Sequence, residues 1–385
     1  MCWVVEEKTS SLEDEITLRL SGKLNEDYDI SINHLNIGSI KTPVGDVRQL
    51  TTRIGGLDRY YNVLARIKPN RTMFRIEPGL YAINTPDPSS DVLVTGNYKL
   101  TLDVLRKELV DFNCWLLILN THGVNVWCAA GKGSFSSAEL IYRLNRHKIK
   151  EIINHKRIIV PQLGGPGVSY FDILKHTKMK IVYGPARAKD IKDFVSNQYQ
   201  TTETQRQVSF NFMDRLTLIP LEVINSIYVV PLFFILNLIL NILSSKLSYE
   251  LLVVSIYNSI PYLITYLLGV ILFPLIIEFL PFRAFSIKGA LLGLVASILV
   301  LLYPEGFMLD LNYFTLVGHA ILICSLSSYL TLNFTGSTTF TSFSGVKKEI
   351  IIFLKAIKVL IPVAILLFIL AIIFWGVELR WRQNI

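Results

Sequence analysis

Cysteine is scarce in this 385-residue chain, and what there is does not cluster. The four, Cys2, Cys114, Cys128 and Cys324, include no C-x-x-C pair. That spacing argues against a structural zinc site or an iron–sulfur cluster built by this chain alone. Scattered thiols also make a poor disulfide framework, so a reducing compartment is expected for the front half. The N-terminus (MCWVVEEKTSSLEDE) lacks a basic segment followed by an apolar one. No signal peptide is read there, and the front half is expected to stay in the cytoplasm. Zinc-finger spacing and a basic–aromatic RNA-binding pattern are also missing, so no nucleic acid partner is expected.

Charge is the second scarcity, and it is local. From Leu216 to Val346 only eight residues are charged: Glu222, Lys246, Glu250, Glu278, Arg283, Lys288, Glu305 and Asp310. The first two hundred or so residues are charged like an ordinary soluble domain. This predicts a soluble domain over residues 1–205 and a transmembrane domain over 206–385. The net charge of +8 then fits cytoplasmic loops and anionic lipid headgroups.

Five apolar stretches fall in the back half, near Leu221–Leu243, Leu251–Ile277, Ile287–Tyr303, Phe314–Leu332 and Ile357–Val377. Each approaches the ~20 residues a spanning helix needs. Pro261 is expected to kink the second. With the front half inside, Arg283, Lys288, Lys347, Lys348 and Lys355 fall in inner loops, Lys358 at the inner edge of the fifth span, Lys246 alone in an outer loop, and Arg380 and Arg382 in the short tail, which five spans put outside. That asymmetry favours a multi-pass protein of the inner (cytoplasmic) membrane with its N-terminal domain in the cytoplasm. The Ser/Thr/Gly-rich loop Asn333–Glu349 reads equally as a solvated connector or a docking surface. His319, inside the fourth stretch, reads as a helix–helix contact before it reads as part of a pathway.

In the front half, apolar strands alternate with helices from Val92 onward. The strands are VLVTG (Val92–Gly96), CWLLILN (Cys114–Asn120), RIIVPQL (Arg157–Leu163) and KIVYG (Lys180–Gly184). Helices are read at Leu100–Phe112, Ser137–Ile153 and Ala188–Val195. The expected class is α/β, a doubly wound, Rossmann-like core over 92–205, with an all-α transmembrane domain of about five helices after it. Residues 1–91 are expected to be β-rich, with GSIKTPVGDVRQLTTRI and MFRIEPGLYAI as hairpins beside the sheet. Ligands of such sheets bind at the carboxyl ends of the strands. Four Gly-containing segments fall there: TGNYK, THGVNVWCAAGKG, PQLGGPG and GPARAKD.

The second of these holds NVWCAAGKG, Asn125–Gly133, with a Gly-Lys pair. A phosphate loop needs GxxxxGK followed by Ser or Thr. Here Gly133 follows Lys132 and Val126 stands where the first glycine belongs, so that reading fails twice. GxGxxG is absent as well. Asn125 is instead a good N-cap for a short turn, Val126 to Ala130, that Gly131 would end. Cys128 then sits in the first turn, where the positive end of the helix favours a thiolate. Ala129, Ala130, Gly131 and Gly133 carry no bulk, so a large flat molecule can lie against them. A thiolate facing such a molecule suits a transition metal at its centre. On residues alone, a structural cysteine beside a glycine turn remains the alternative.

This stretch resembles the cap-helix signature of the mercury methylation corrinoid proteins, the HgcA family, N-[VI]-W-C-A-A-G-K-G, at all nine positions. EPGLYAI, VLVTGNYKLT, PQLGGPGV, VYGPARA and NFTGST…SGVKKE resemble family segments in the same order, from about Thr42 to the C-terminus. The soluble domain is further similar to the corrinoid domain of the corrinoid iron–sulfur protein, without that protein's iron–sulfur motif. The resemblance implies a membrane-anchored, corrinoid-dependent methyltransferase. A cobalamin-type corrinoid would be bound base-off, with Cys128 as catalytic ligand to its cobalt from the lower face. A methyl group on the upper face would pass to Hg(II), forming methylmercury. It also implies a small ferredoxin with two [4Fe-4S] clusters as electron donor and a methylated folate, by way of a methyltransferase, as methyl source. A corrinoid methyl carrier with a non-mercury acceptor is the alternative; a transporter or sensor ranks behind both.

Within that reading, Asn125 positions the helix of Cys128, and Val126 and Trp127 pack it. Ala129, Ala130, Gly131 and Gly133 clear room for the ring, and Lys132 reaches a carboxamide or phosphate or else faces solvent. Thr95 hydrogen-bonds the cofactor or is an ordinary strand-end threonine. Gly164, Gly165, Gly167 and Ala188 line the pocket of the cofactor tail. Arg143, Arg146, His147, Lys148 and Lys150 form either a solvated helix face or a surface for an acidic ferredoxin.

Overall fold

The computed structural model describes residues 11–20, 29–68, 71–243, 251–307, 312–338 and 343–383, with no account of Cys2 or Lys246 and only part of the Asn333–Glu349 loop. They form two compact units, divided between Ser209 and Phe210. The first is a mixed α/β sheet domain and the second is helical.

The sheet has seven strands: β1 (Asn36–Thr42), β2 (Gly45–Leu50), β3 (Gly79–Ile83), β4 (Val92–Gly96), β5 (Cys114–Leu119), β6 (Arg157–Pro161) and β7 (Lys180–Gly184), in the order β1-β2-β3-β5-β4-β6-β7. β5, β4, β6 and β7 are parallel to one another. β4 and β5 are buried along their whole length, which is why they read as unbroken apolar runs. Val94 and Leu117 face one core, shared with α4 (Val126–Lys132) and α5 (Ser137–Arg146). Leu93 and Leu116 face the other, shared with α3 (Lys99–Glu108) and α8 (Ile191–Ser196). Between these lie α6 (Ile149–Ile152) and α7 (Tyr170–Thr177). α1 (Leu12–Leu20) and α2 (Gly56–Ile67) precede β4, and α9 (Glu203–Arg206) closes the unit.

The N-terminal part departs from expectation. The hairpin β1–β2 forms, but it extends the main sheet instead of packing beside it, with β2 parallel to β3 and β3 antiparallel to β5. MFRIEPGLYAI is one strand and not a hairpin: Pro78, with no N–H, separates β3 from the isolated bridges at Arg75 and Ile76. Two helices, α1 and α2, occupy a region expected to be β-rich. The helix expected over 137–153 is split by Lys148, whose φ of 46° is left-handed.

Four charged side chains anchor the turn from β4 into α3. Lys99 and Arg106, both fully buried, bridge Asp58 of α2 and Asp103 of α3. Lys99 Nζ lies 2.6 Å from Asp58, and Arg106 lies 2.7 Å from Asp103 while also donating to the Thr51 carbonyl at 2.6 Å. Two cations face two carboxylates, so the quartet is neutral, as buried charge must be. Burial alone would raise the Asp58 pKa. Hydrogen bonds from Lys99 and the Gly55 amide, with the charges of Lys99 and Arg106, override that and hold it at about 2.

In the second unit α10 (Phe212–Leu216) and α11 (Ile219–Ser226) make one apolar segment bent by 41° against α12 (Val229–Leu243). Then come α13 (Leu251–Leu267), a π-helical turn at Leu268–Leu272 and α14 (Phe273–Ile276). α15 (Phe285–Leu302), α16 (Tyr313–Asn333) and α17 (Phe343–Gln383) follow. Among the described residues four helices are long and apolar enough to cross a membrane, five if the bent pair is one span. Pro261 does not interrupt α13; the irregularity falls at the π turn, about two helical turns later. α15 meets α16 along a seam of small residues: a Cβ on Gly293 would lie 2.7 Å from Cys324 Cα, and one on Gly289 2.6 Å from the Ser327 carbonyl. Close packing at small residues is how helices associate in lipid. His319 is a helix–helix contact, its Nδ1 2.5 Å from Tyr262 Oη.

Lys99→Met leaves two buried carboxylates facing Arg106 alone. The first unit should lose about 3–5 kcal/mol, read from urea unfolding of the full chain in detergent. The depressed Asp58 pKa means that its share of stability is complete above the unfolded-state value near ~4 and is lost as pH falls through about 2. Acid unfolding followed by tryptophan fluorescence should show that loss in the native chain and a weaker one in Asp58→Asn.

Candidate functional site

The carboxyl ends of β4 and β5 carry the loops that shape the site, and their polar side chains turn inward to one another. Asn97, wholly buried, accepts at Oδ1 from the backbone N–H groups of Thr121 and Gly123, both at 3.0 Å. Its Nδ2 donates to the Ile76 carbonyl at 3.1 Å. The Asn97 N–H donates to Thr121 Oγ1, which donates in turn to the Val124 carbonyl at 2.7 Å. One residue on, Asn125 begins α4. The Asn120 N–H donates to Glu139 Oε1 at 2.8 Å, and that buried carboxylate is paired with Arg143 and with Arg19 of α1. The loop that delivers α4 is thus held from both sides.

Asn125 caps α4 as expected: its side chain accepts from the Cys128 N–H at 2.9 Å. The helix does not end at Gly131. It runs to Lys132, and Gly133, at φ +76°, caps it in the left-handed conformation. A Cβ there would meet nothing within 4 Å, so Gly133 borders open space. Cys128, Trp127, Gly131 and Lys132 are half-buried on the outer side of the helix. Val126, Ala129 and Ala130 are buried in the core beneath. The alanines therefore pack the helix down onto that core.

Gly164 and Gly167 lie in the 3-10 turn Gln162–Gly167, which packs on α4. What approaches them is protein: a Cβ on Gly164 would meet the Phe135 ring at 2.5 Å, and one on Gly167 the Phe135 carbonyl at 1.9 Å. Gly165 is less confined, with the Tyr183 ring 3.7 Å away. Strand alternation puts Thr95 on the face of Leu93, toward α3, and Ala188 packs on that same face. The structure therefore gathers the Asn125–Gly133 segment with Gly164, Gly165 and Gly167, and leaves Thr95 and Ala188 on the other side of the sheet.

The basic cluster over 143–150 does not share one environment. Arg143 is buried against Glu139. Lys148 and Lys150 border a surface depression of about 160 Å³ with Thr177 and Met179, which precede β7, and so lie at the amino edge of the sheet, away from Cys128.

The two thiols of the first unit's described part differ in availability. Cys114 is fully buried in β5, and burial, with the Asp91 carboxylate, pushes its thiol pKa up. Cys128 is half-buried on the outer face of a capped helix. Among the described residues no three His, Cys, Asp or Glu side chains are grouped to hold a metal ion. What α4 offers a metal is the sulfur of Cys128, a soft donor. Sequence reasoning missed Asn97, Thr121, Glu139 and Phe135. The signal available was polar residues at two strand ends, which read as ligand-facing when they in fact bond to each other.

Residues 68–195 match the CdhD family, described as the CO dehydrogenase/acetyl-CoA synthase delta subunit. The chain is 30% identical over 135 residues to the acetyl-CoA decarbonylase/synthase complex subunit gamma of Archaeoglobus fulgidus, covering 34% of this chain and 28% of that one. To the same subunit of Methanopyrus kandleri it is 28% identical over 125 residues (32% and 27% of the two chains). For Methanocaldococcus jannaschii the figures are 29% over 126 residues (32% and 25%). The chain thus spans about a quarter of the length of these relatives.

Asn97→Leu leaves two buried N–H groups and a carbonyl without their partner and should lower stability by about 3 kcal/mol, with faster amide exchange in α4. Gly167→Ala should cost about 1–3 kcal/mol through the clash with Phe135. Asn125→Ala, a lost cap, should cost about 1 kcal/mol. Urea unfolding of the three variants ranks them.

Proposed function

We propose that the first unit is a corrinoid-binding methyl carrier, that the second anchors it in the cytoplasmic membrane with the first unit on the cytoplasmic side, and that Hg(II) is the acceptor of the methyl group. One observation carries the reading: within the stretch that matches the acetyl-CoA synthase subunits, an Asn-capped helix presents a half-buried thiol at the carboxyl edge of the parallel strands. Ligands of doubly wound sheets bind at that edge. The residues fit a corrinoid, which we propose is held base-off. Gly131 and Gly133 keep the outer surface of α4 low, the space beside Gly133 is open, and Cys128 is the one soft donor there.

Bound on this surface, the corrinoid would supply the cobalt that carries the methyl group. The protein's part is position and charge. Asn125 satisfies the Cys128 N–H and fixes the first turn of α4. Asn97 and Thr121 hold the loop before it. Cys128 would then offer an electron-rich sulfur to the cobalt. Hg(II) is an electrophile, so a methyl group must reach it with its electron pair or as a radical, and a thiolate donor favours that polarity. Gly165 and Lys132 border the same surface and are assigned to the cofactor's periphery. Thr95 and Ala188 could reach only a part of it that passes to the α3 face. A small ferredoxin with two [4Fe-4S] clusters is the proposed electron donor, and a methylated folate, acting through a methyltransferase, the proposed methyl source.

A second reading keeps the methyl carrier and changes the acceptor. The relatives, named as acetyl-CoA decarbonylase/synthase subunits, favour it for the matched stretch. The full chain reconstituted with methylcobalamin separates the readings. A cobalt–thiolate absorption band should appear and vanish in Cys128→Ala. Methylmercury formation under anaerobic, reducing conditions should fall by at least about 100-fold in that variant. An unchanged spectrum would refute ligation by Cys128, and full activity in the variant would sink the mechanism. A thiolate band without methylmercury would favour the second reading.

A further inference from the structure

Helix α2 packs Tyr61, Leu64 and Ala65 against Ile30, Phe74 and Tyr98, yet leaves large apolar side chains outside. Of GLDRYYNVLARI, Asp58 and Ala65 point inward, at 3% and 0% exposure, and Asp58 is the carboxylate held by Lys99 and Arg106. Outward stand Leu57 at 47%, Tyr60 at 59% and Val63 at 54%, with Met73 at 51% shortly after the helix. At 100° per residue, Leu57, Tyr60 and Val63 lie on one outward face, the half-buried Ile67 falls within it, Leu64 at its edge packs on the core beneath, and the exposed Arg59 and Arg66 line its other margin. Between Thr51 and Met73 the basic residues are Arg53, Arg59, Arg66, Lys68 and Arg71, and Asp58, already neutralised inside, is the only acidic one.

An apolar stripe with an arginine margin and no exposed acid is the pattern of a helix that lies in a lipid interface. It suits an anionic surface better than a neutral one. Among the described residues up to five helices of the second unit are long and apolar enough to cross a membrane, so the same chain carries both the helix and a means of reaching a bilayer. The stretch that matches the acetyl-CoA synthase subunits begins at residue 68, just past α2.

We propose that α2 is an interfacial helix that seats the first unit on anionic lipid, with Leu57, Tyr60 and Val63 below the headgroups and Arg59 and Arg66 on their phosphates. The inward ion pairs of Asp58 then have a second effect: they tie the seated helix to α3 and so to the turn that follows β4. The proposal rests on membrane insertion of the second unit and not on the corrinoid.

The test uses the full chain, one copy per nanodisc, in phosphatidylcholine alone or mixed with phosphatidylglycerol. Amide exchange over residues 56–67 should slow by about tenfold in the anionic discs relative to the neutral ones, while exchange in α7, which carries the exposed Phe171, stays the same. Arg59→Glu with Arg66→Glu should abolish the slowing, as should Tyr60→Ser with Val63→Ser. All four side chains are exposed, so the fold should survive these changes. Equal exchange in both lipids overturns the proposal; equal protection in both, and in detergent, indicates a protein contact instead. A chain that fails to enter the discs overturns it together with the membrane reading.

Discussion

One buried amide holds the first unit's carboxyl edge together. Asn97 follows β4 directly, and its side chain can satisfy all of its bonds only if the loop after β5 folds back over it, bringing the N–H groups of Thr121 and Gly123 to its oxygen. Polar groups with no access to water have few acceptable arrangements, so the loop has little choice. Thr121 passes the constraint to Val124 and the cap at Asn125, and Asn120 passes it to Glu139. The helix that carries Cys128 is only seven residues long and would not be stable alone. Its position comes from this network and from Phe135, packed into the space left by two glycines.

The two units solve burial differently. The first sinks full charges into its interior as neutral groups, Lys99 and Arg106 with Asp58 and Asp103, and Arg143 and Arg19 with Glu139 and Glu15. In the second, the ion pair found among the described residues lies near helix ends, where Arg215 meets Glu278. Within its helices it uses amides and hydroxyls: Asn241 donates to Ser255 at 2.9 Å, and Asn237 to Ser259 at 3.3 Å. Hydrogen bonds and small-residue seams of this kind join helices where water does not drive association. Outward, the same helices present Leu, Ile and Val along their length.

The parts of this protein legible in its sequence are those governed by local rules. A buried parallel strand is a short apolar run, and β4, β5, β6 and β7 stand close to where such runs lie. A cap is an asparagine before a turn, and Asn125 caps α4. An apolar helix is a long uncharged stretch, and all five stretches are helical over most of their length. The class of the first unit, the helical character of the second and the prominence of Cys128 needed nothing more.

Tertiary structure decided what depends on residues distant in sequence. It placed β3 antiparallel inside the sheet, since strand pairing is a choice among partners that local pattern does not encode. It turned α2 outward, because the pull on Asp58 comes from Lys99, forty-one residues away. It moved Arg143 inside by giving it Glu139, and assigned Gly164 and Gly167 to Phe135 when their pattern had suggested a ligand. A glycine that admits a cofactor and a glycine that admits a phenylalanine have the same sequence. Which it is depends on what fills the space opposite, and only the assembled fold determines that.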